Sequence, residues 1–177
     1  GVNAPFVKTI TLFVRDVAEA PEAVTLSNLT VSEAGISSGT TIGTFTVSDP
    51  DTGDTHTLSL VNSSGGRFKL SGNALQVDRS ALINYEANAS HTITITATDK
   101  SGLAISRDIA IAVGNANEAP GPISVSGITV VASSAPGTHV STLSAVDPDI
   151  GDAVTFSLTD NAGGRFQIVD NAIKVLS

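Results

Sequence analysis

Apolar and polar residues alternate along most of this chain. Ile93, Ile95 and Ala97 are interleaved with Thr92, Thr94, Thr96 and Thr98, and Ile109, Ile111 and Val113 with alanines. Ile10, Leu12 and Val14 alternate with Thr9, Thr11 and Phe13. A period of two marks strands whose two faces meet different surroundings, and Thr and Val suit a half-buried pleated surface. Helical spacing is nearly absent. Clusters of Gly, Asn, Asp and Pro break the runs about every ten residues, as in an antiparallel sandwich or barrel. The pattern predicts strands near 7–14, 27–31, 41–48, 56–61, 66–70, 74–77, 91–98 and 104–113. A second set is predicted near 125–131, 139–146, 154–159, 164–168 and 172–176.

The second set repeats the first. Asp49-Pro50-Asp51-Thr52-Gly53-Asp54 returns as Asp147-Pro148-Asp149-Ile150-Gly151-Asp152, 98 residues later. Gly65-Gly66-Arg67-Phe68 and Asn73-Ala74-Leu75 return at the same spacing as Gly163-Gly164-Arg165-Phe166 and Asn171-Ala172-Ile173. Glu19-Ala20-Pro21 returns as Glu118-Ala119-Pro120. A fixed period of this kind identifies a tandem array. It divides the chain into residues 1–16, the last strand of a preceding repeat; 17–117, a complete repeat; and 118–177, the first five strands of a following one. A half-sandwich leaves open strand edges and half a core, so the expectation is that this segment belongs to a longer array.

Composition narrows the function classes. The net charge of −8 and scarcity of basic residues argue against nucleic acid, which is held by basic patches. The absence of cysteine removes disulfides and thiolate metal sites. The longest apolar run, Ile109–Val113, is far too short to span a membrane. A cation, in contrast, is a natural partner for an acidic chain. Most acids fall at turns and linkers: Glu33, Asp49, Asp51, Asp54, Glu86 and Asp99 in the complete repeat, and Asp16, Glu19 and Glu118 in the linkers. Asp-x-Asp brings two carboxylates close enough to share a hard cation, which takes six to eight oxygens. The competing reading is a solvated turn, since Asp, Pro and Gly are ordinary turn residues. Recurrence in both repeats favours the cation.

These residues carry a resemblance. Val31-Ser32-Glu33, Asp49-Pro50-Asp51, Ile83-Asn84-Tyr85-Glu86 and Asp99-Lys100-Ser101-Gly102 resemble, in order, the first-strand glutamate, Asp-x-Asp, Leu-Asp-x-Glu and Asp-x-x-Gly motifs of cadherin repeats. The segments Asp16–Pro21 and Asn115–Pro120 resemble their inter-repeat linkers. The resemblance covers the whole chain and is to cadherin repeats of the kind found in large bacterial-type surface adhesins. It implies an all-β fold of tandem Greek-key, immunoglobulin-like sandwiches that bind Ca2+ at each linker. For the earlier linker it implies Asp16, Glu19, Asp49, Asp51 and Asp99 as ligands. For the later one it implies Glu33, Asn84, Glu86, Asn115, Asn117, Glu118, Asp147 and Asp149. Asn84 and Asn115 stand where the family usually has Asp, which weakens the later site. Ala18 replaces a linker Asn, and Ala132 stands where Glu33 would recur.

Other motifs read as structure. Gly35-Ile36-Ser37-Ser38-Gly39 matches a nucleophile-elbow pattern but lies in a loop with no helix to follow. His56, His91 and His139 are expected to be scattered, exposed strand residues rather than zinc ligands. The glycines of Gly65-Gly66-Arg67-Phe68 serve a turn that sends Phe68 into the core. Asn28-Leu29-Thr30, Asn62-Ser63-Ser64 and Asn88-Ala89-Ser90 are sequons that matter only in a glycosylating host. No clustered catalytic constellation is present, so no enzyme is expected. The resemblance therefore implies an extracellular or cell-surface adhesive module whose linkers calcium is expected to stiffen. Its expected partners are neighbouring repeats and homophilic or filament-forming contacts by strand exchange. The alternative is a carbohydrate-binding module with a cell-surface glycan as partner. Low aromatic content, with Tyr85 the single tyrosine, disfavours it.

Overall fold

The structure, a computed structural model, describes residue 1 and residues 5–177. It comprises two compact units: residues 1–83 with 90–114, and residues 84–89 with 115–177.

The first unit is a sandwich of two four-stranded sheets. One has the order β1-β3-β6-β5, from Ala23–Leu26, Thr41–Ser48, Ala74–Val77 and Phe68–Ser71. The other has the order β2-β8-β7-β4, from Thr30–Ser32, Ala104–Gly114, Ser90–Thr98 and Thr57–Asn62. A 3-10 turn, Ser80–Leu82, lies between β6 and β7. Neighbours pair antiparallel, except for the parallel β2–β8 pair. The longest ladder joins β7 to β8, from Ser90 opposite Ala112 to Thr98 opposite Ala104. Alternation along β7 turns His91, Ile93, Ile95 and Ala97 inward. They meet Ile111 and Val113 of β8 and Phe68, Leu75 and Val77 of the facing sheet, forming one buried cluster around Ile83 and Phe45. Gly65 and Gly66 do take positive φ, +70° and +81°, and Phe68 is buried as the turn requires.

The second unit holds one sheet, β11-β12-β10-β9, from Phe166–Val169, Ala172–Val175, His139–Ser144 and Ser124–Val125. At the 98-residue spacing these match β5, β6, β3 and β1. Residues 154–159 are not a strand, contrary to the sequence expectation, and of 125–131 only Val125 is in one. Both regions correspond to strands of the other sheet, β4 and β2, which in the first unit hydrogen-bond to β7 and β8. Among the described residues of the second unit no strand corresponds to β7 or β8, and alternation without a partner for the backbone groups does not make a strand. The same reason explains residues 7–14, also expected as a strand, which form none. Their apolar residues lie open: Phe6, Val7, Ile10, Leu12, Phe13 and Val14 are all mostly exposed. In the second unit, Ile128, Val131, Val146 and Ile150 are likewise exposed.

His91 departs from the sequence reading in the other direction. It is buried, with its ring edge-on to Phe68 at a centroid distance of 6.1 Å. Nε2 has no hydrogen-bond partner. Burial, and then the charge of Arg67, push the imidazole below its usual value. His91 is therefore neutral in the fold but takes up a proton when exposed by unfolding. Its contribution to stability is present above a pH of about 6.5 and is lost as the pH falls below that value.

Two measurements check this packing. The urea midpoint is expected to fall between pH 7 and pH 5, and His91→Leu to make that fall shallower; an equal fall in both proteins would remove His91 from the account. Leu75→Ala, at a fully buried position, is expected to destabilise the first unit by about 2–5 kcal/mol. Its repeat partner Ile173 is only half-buried, so hydrogen exchange of the β11–β12 amides in Ile173→Ala should register a smaller loss.

Candidate metal centre

The loop between β3 and β4 gathers carboxylates because its turn chemistry requires it. The Asp51 N–H donates to Asp49 Oδ1 at 2.9 Å, and the Asp54 N–H donates to the Asp51 carbonyl at 3.2 Å. Gly53 supplies a φ of +85° that other residues resist. This fold of the loop points Asp49, Asp51 and Asp54 at one place, with carboxylate oxygens within 4.8 Å of one another. Asp51 belongs to a second group of the same tightness with Asp16 and Glu19 of the linker. The Glu19 N–H donates to Asp51 Oδ2 at 2.9 Å, tying the linker backbone to the loop.

Asp99 reaches the site from the β7–β8 turn. Its Oδ1 accepts the Ser101 N–H and Oγ–H, both at 2.7 Å, and the Leu103 N–H at 2.9 Å. Its charge is felt at Asp49. Thus the residues expected at the earlier linker, Asp16, Glu19, Asp49, Asp51 and Asp99, are brought to one end of the first unit. Desolvation pushes Glu19 above its ordinary value, helped by the charges of Asp51, Asp16 and Asp49. Burial acts the same way on Asp99, but its hydrogen bonds outweigh it and hold the carboxyl below the usual range.

Two residues outside the sequence-derived set, Asp54 and His56, belong to this site. Asp54 has a fully buried side chain: Oδ1 accepts the Thr55 N–H and Lys100 Nζ, while Oδ2 is buried with no partner. Asp99 Oδ2 is equally buried and without a partner. His56, expected to be exposed, is largely covered and places Nε2 2.8 Å from Asp49 Oδ2. That hydrogen bond is the main cause of a lowered Asp49 value. The signal for Asp54 was available in the recurring six-residue loop, which repeats its third aspartate as faithfully as the first two. Nothing in the pattern pointed to His56, because its repeat counterpart is Val154.

The second unit builds the same loop. The Asp149 N–H donates to Asp147 Oδ1 at 3.1 Å and the Asp152 N–H to the Asp149 carbonyl at 3.2 Å. The Glu118 N–H donates to Asp149 Oδ2 at 2.7 Å, reproducing the Glu19 contact. Asp147, Asp149 and Asp152 again present oxygens within 4.8 Å. Glu86 and Glu118 form a close carboxylate pair in this unit, and Glu86 Oε2 is buried without a partner. Glu86 and Asn115 line one cleft with Tyr85 and Ile150. Asn84 Oδ1 accepts the Ala87 N–H, and Asn117 donates to the Glu118 carbonyl at 3.2 Å. Glu33 lies in the first unit, just past β2.

Clustered oxygens, two of them buried and unsatisfied in the first unit alone, match the donor set of a hard divalent cation. No sulfur ligand exists in the chain, and the imidazole nitrogen nearest the first site is engaged by Asp49.

No protein-family model matches the chain. Over 141 residues it is 30% identical to human protocadherin gamma-B4, an alignment covering 75% of this chain. The chain spans about 15% of the length of the curated relatives it matches. Among solved structures, mouse cadherin-23 EC22–24 is 25% identical, with a TM-score of 0.63 over 87% of this chain and 54% of that one. Human protocadherin-24 EC1–2 gives a TM-score of 0.69 at 17% identity, over 86% of this chain and 77% of its own. The fold is cadherin-like. Both sheets of the cadherin-type sandwich are present in the first unit and one in the second. The relatives named are animal proteins, so a bacterial-type setting rests on the motifs alone. Among the described residues no helix is long and apolar enough to cross a membrane.

The His56 contact can be checked directly. Carbon-detected NMR titration of the Asp49 carboxyl should give an apparent pKa below that of an ordinary aspartate, and His56→Ala should raise it. An unchanged value would mean that backbone hydrogen bonding alone sets it.

Proposed function

We propose that this chain is a calcium-binding adhesion module of an extracellular or cell-surface protein, in which the ion stiffens the junctions between cadherin-like repeats. The observation that carries the reading is the duplicated loop. Both units hold Asp-x-Asp-x-Gly-Asp in one conformation, and in both the linker glutamate amide is bonded to the second aspartate. The relatives supply the adhesive and extracellular context, since those proteins are named as cadherins and protocadherins.

In the first unit Asp16, Glu19, Asp49, Asp51, Asp54 and Asp99 would hold the ion; in the second, Asn84, Glu86, Asn115, Asn117, Glu118, Asp147, Asp149 and Asp152. The ligand role of Glu33 rests on the resemblance. Bound calcium would supply positive charge to carboxylates that otherwise repel. The residues themselves do the positioning. Glu19 and Glu118 pin each linker to its loop, and Asp99 is fixed by three hydrogen bonds from its own turn. Without a cation the crowded charges favour loosening the linker; with one, the same charges become ties. Extracellular modules bind calcium at about 10⁻⁴ to 10⁻³ M, so millimolar calcium outside cells would occupy such sites substantially and cytosolic calcium would not. The module performs no reaction. Its partners would be neighbouring repeats and homophilic contacts, and the polysaccharide reading draws no support from the comparisons.

Thermal unfolding in millimolar calcium, in magnesium and in EDTA tests this. At 10 mM calcium, about 10 to 100 times such dissociation constants, the gain is about 1.4 to 2.7 kcal/mol, enough to raise the midpoint by several degrees. Asp51→Ala should remove most of the first unit's gain. Identical midpoints in all three conditions would reduce both loops to solvated turns.

A further inference from the structure

We infer that Lys100 is a tethered counter-cation of the first acid cluster and sets its affinity for divalent ions. It neutralises Asp54 when no ion is present and gives way when one binds. This rests on the cation reading above.

The first ground is the asymmetry of the ion pair. Lys100 Nζ lies 3.2 Å from Asp54 Oδ1; the Lys100 side chain is 66% exposed, whereas the Asp54 side chain is fully buried. An ordinary surface pair joins two mobile, hydrated groups and contributes little. Here one partner is a buried carboxylate within 4.8 Å of the oxygens of Asp49 and Asp51. Its second oxygen already lacks a partner. Loss of the ammonium would leave a buried charge beside two others, which is costly.

The second ground is placement. Lys100 follows Asp99, and the turn that carries both is fixed by the bonds from Ser101 and Leu103 to Asp99 Oδ1 and by Gly102 at φ +92°. The structure that aims Asp99 at the site therefore also holds the lysine beside it. An ammonium on a flexible, exposed stem is a point charge with no fixed geometry, so a cation that takes over the Asp54 charge can displace it without rearranging the turn. While it remains, it repels an incoming divalent ion and occupies one of the oxygens that ion would use.

The third ground is the internal control. The second loop has the same turn, but Asp152 is exposed and makes no ion pair among the described residues. The two loops thus differ in counter-charge while sharing backbone geometry.

The test is a calcium titration of the full 177-residue chain followed by NMR, reading the amides of Gly53 and Gly151 as reporters of the two loops. Lys100→Ala and Lys100→Gln are expected to tighten the response at Gly53 by about three- to tenfold at low ionic strength. Gly151 should be unchanged. In EDTA the same variants should unfold at a lower temperature than the wild type, and Lys100→Arg should behave like the wild type in both assays. An unchanged or weakened response at Gly53 in both neutral variants would overturn the inference. The absence of any calcium response at Gly53 in the wild type would instead defeat the cation reading on which it stands.

Discussion

The pairing of β7 with β8 is the interaction on which the rest of the first unit depends. These are its longest strands, and their ladder forms the middle of one sheet. β2 and β4 have no other partners. The inward residues of the pair supply Ile93, Ile95, Ala97, Ile111 and Val113, against which the facing sheet buries Phe68, Leu75 and Val77. The turn that joins them delivers Asp99 to the acid cluster. The second unit shows the dependence by contrast. It retains a recognisable sheet, because β10, β11 and β12 satisfy one another, while the segments that would lean on such a pair stay irregular.

Charge is organised around that scaffold by turn chemistry. Each aspartate of the β3–β4 loop uses a backbone donor to fix its conformation and presents remaining oxygens to its neighbours. A loop designed only for solubility would let those oxygens face water. Here Asp54 Oδ2 and Asp99 Oδ2 are buried without partners, a state that carries a desolvation cost. Among the described residues, Lys100 and a hydrogen bond from the His56 ring are what face this negative charge.

Strand identity and the repeat were legible because both depend on local order: alternation for the strands, fixed spacing for the loops. The aspartates of the loop were legible for the same reason. Residues 7–14 and 154–159 misled because alternation records which face would be buried, not whether a partner strand is at hand. His91 misled because its polar name hid an inward position shared with Ile93 and Ile95, although its place in the alternation already assigned it to that face. Asp54 was visible in the repeated loop but lay outside the motif borrowed from the resemblance. Lys100 and His56 were not legible: the lysine contact joins residues 46 apart in the chain, and the histidine is not repeated, Val154 standing at its counterpart position.

The two copies of the loop separate what shapes the site from what charges it. Val154 replaces His56, Asn115 replaces Asp16, and Asp152 lacks the lysine seen by Asp54, yet the Asx hydrogen bond, the positive-φ glycine and the tie to the linker glutamate persist. The geometry therefore follows from Asp, Gly and the linker amide, independently of counter-charge. On the proposed cation reading, the part left to an ion would be electrostatic: to offset the repulsion between the gathered carboxylates. The residues around the loop, rather than those within it, would then set how strongly each loop responds to a cation. Side chains at positions such as 56 and 100 could change on that reading while the fold and the loop stay intact.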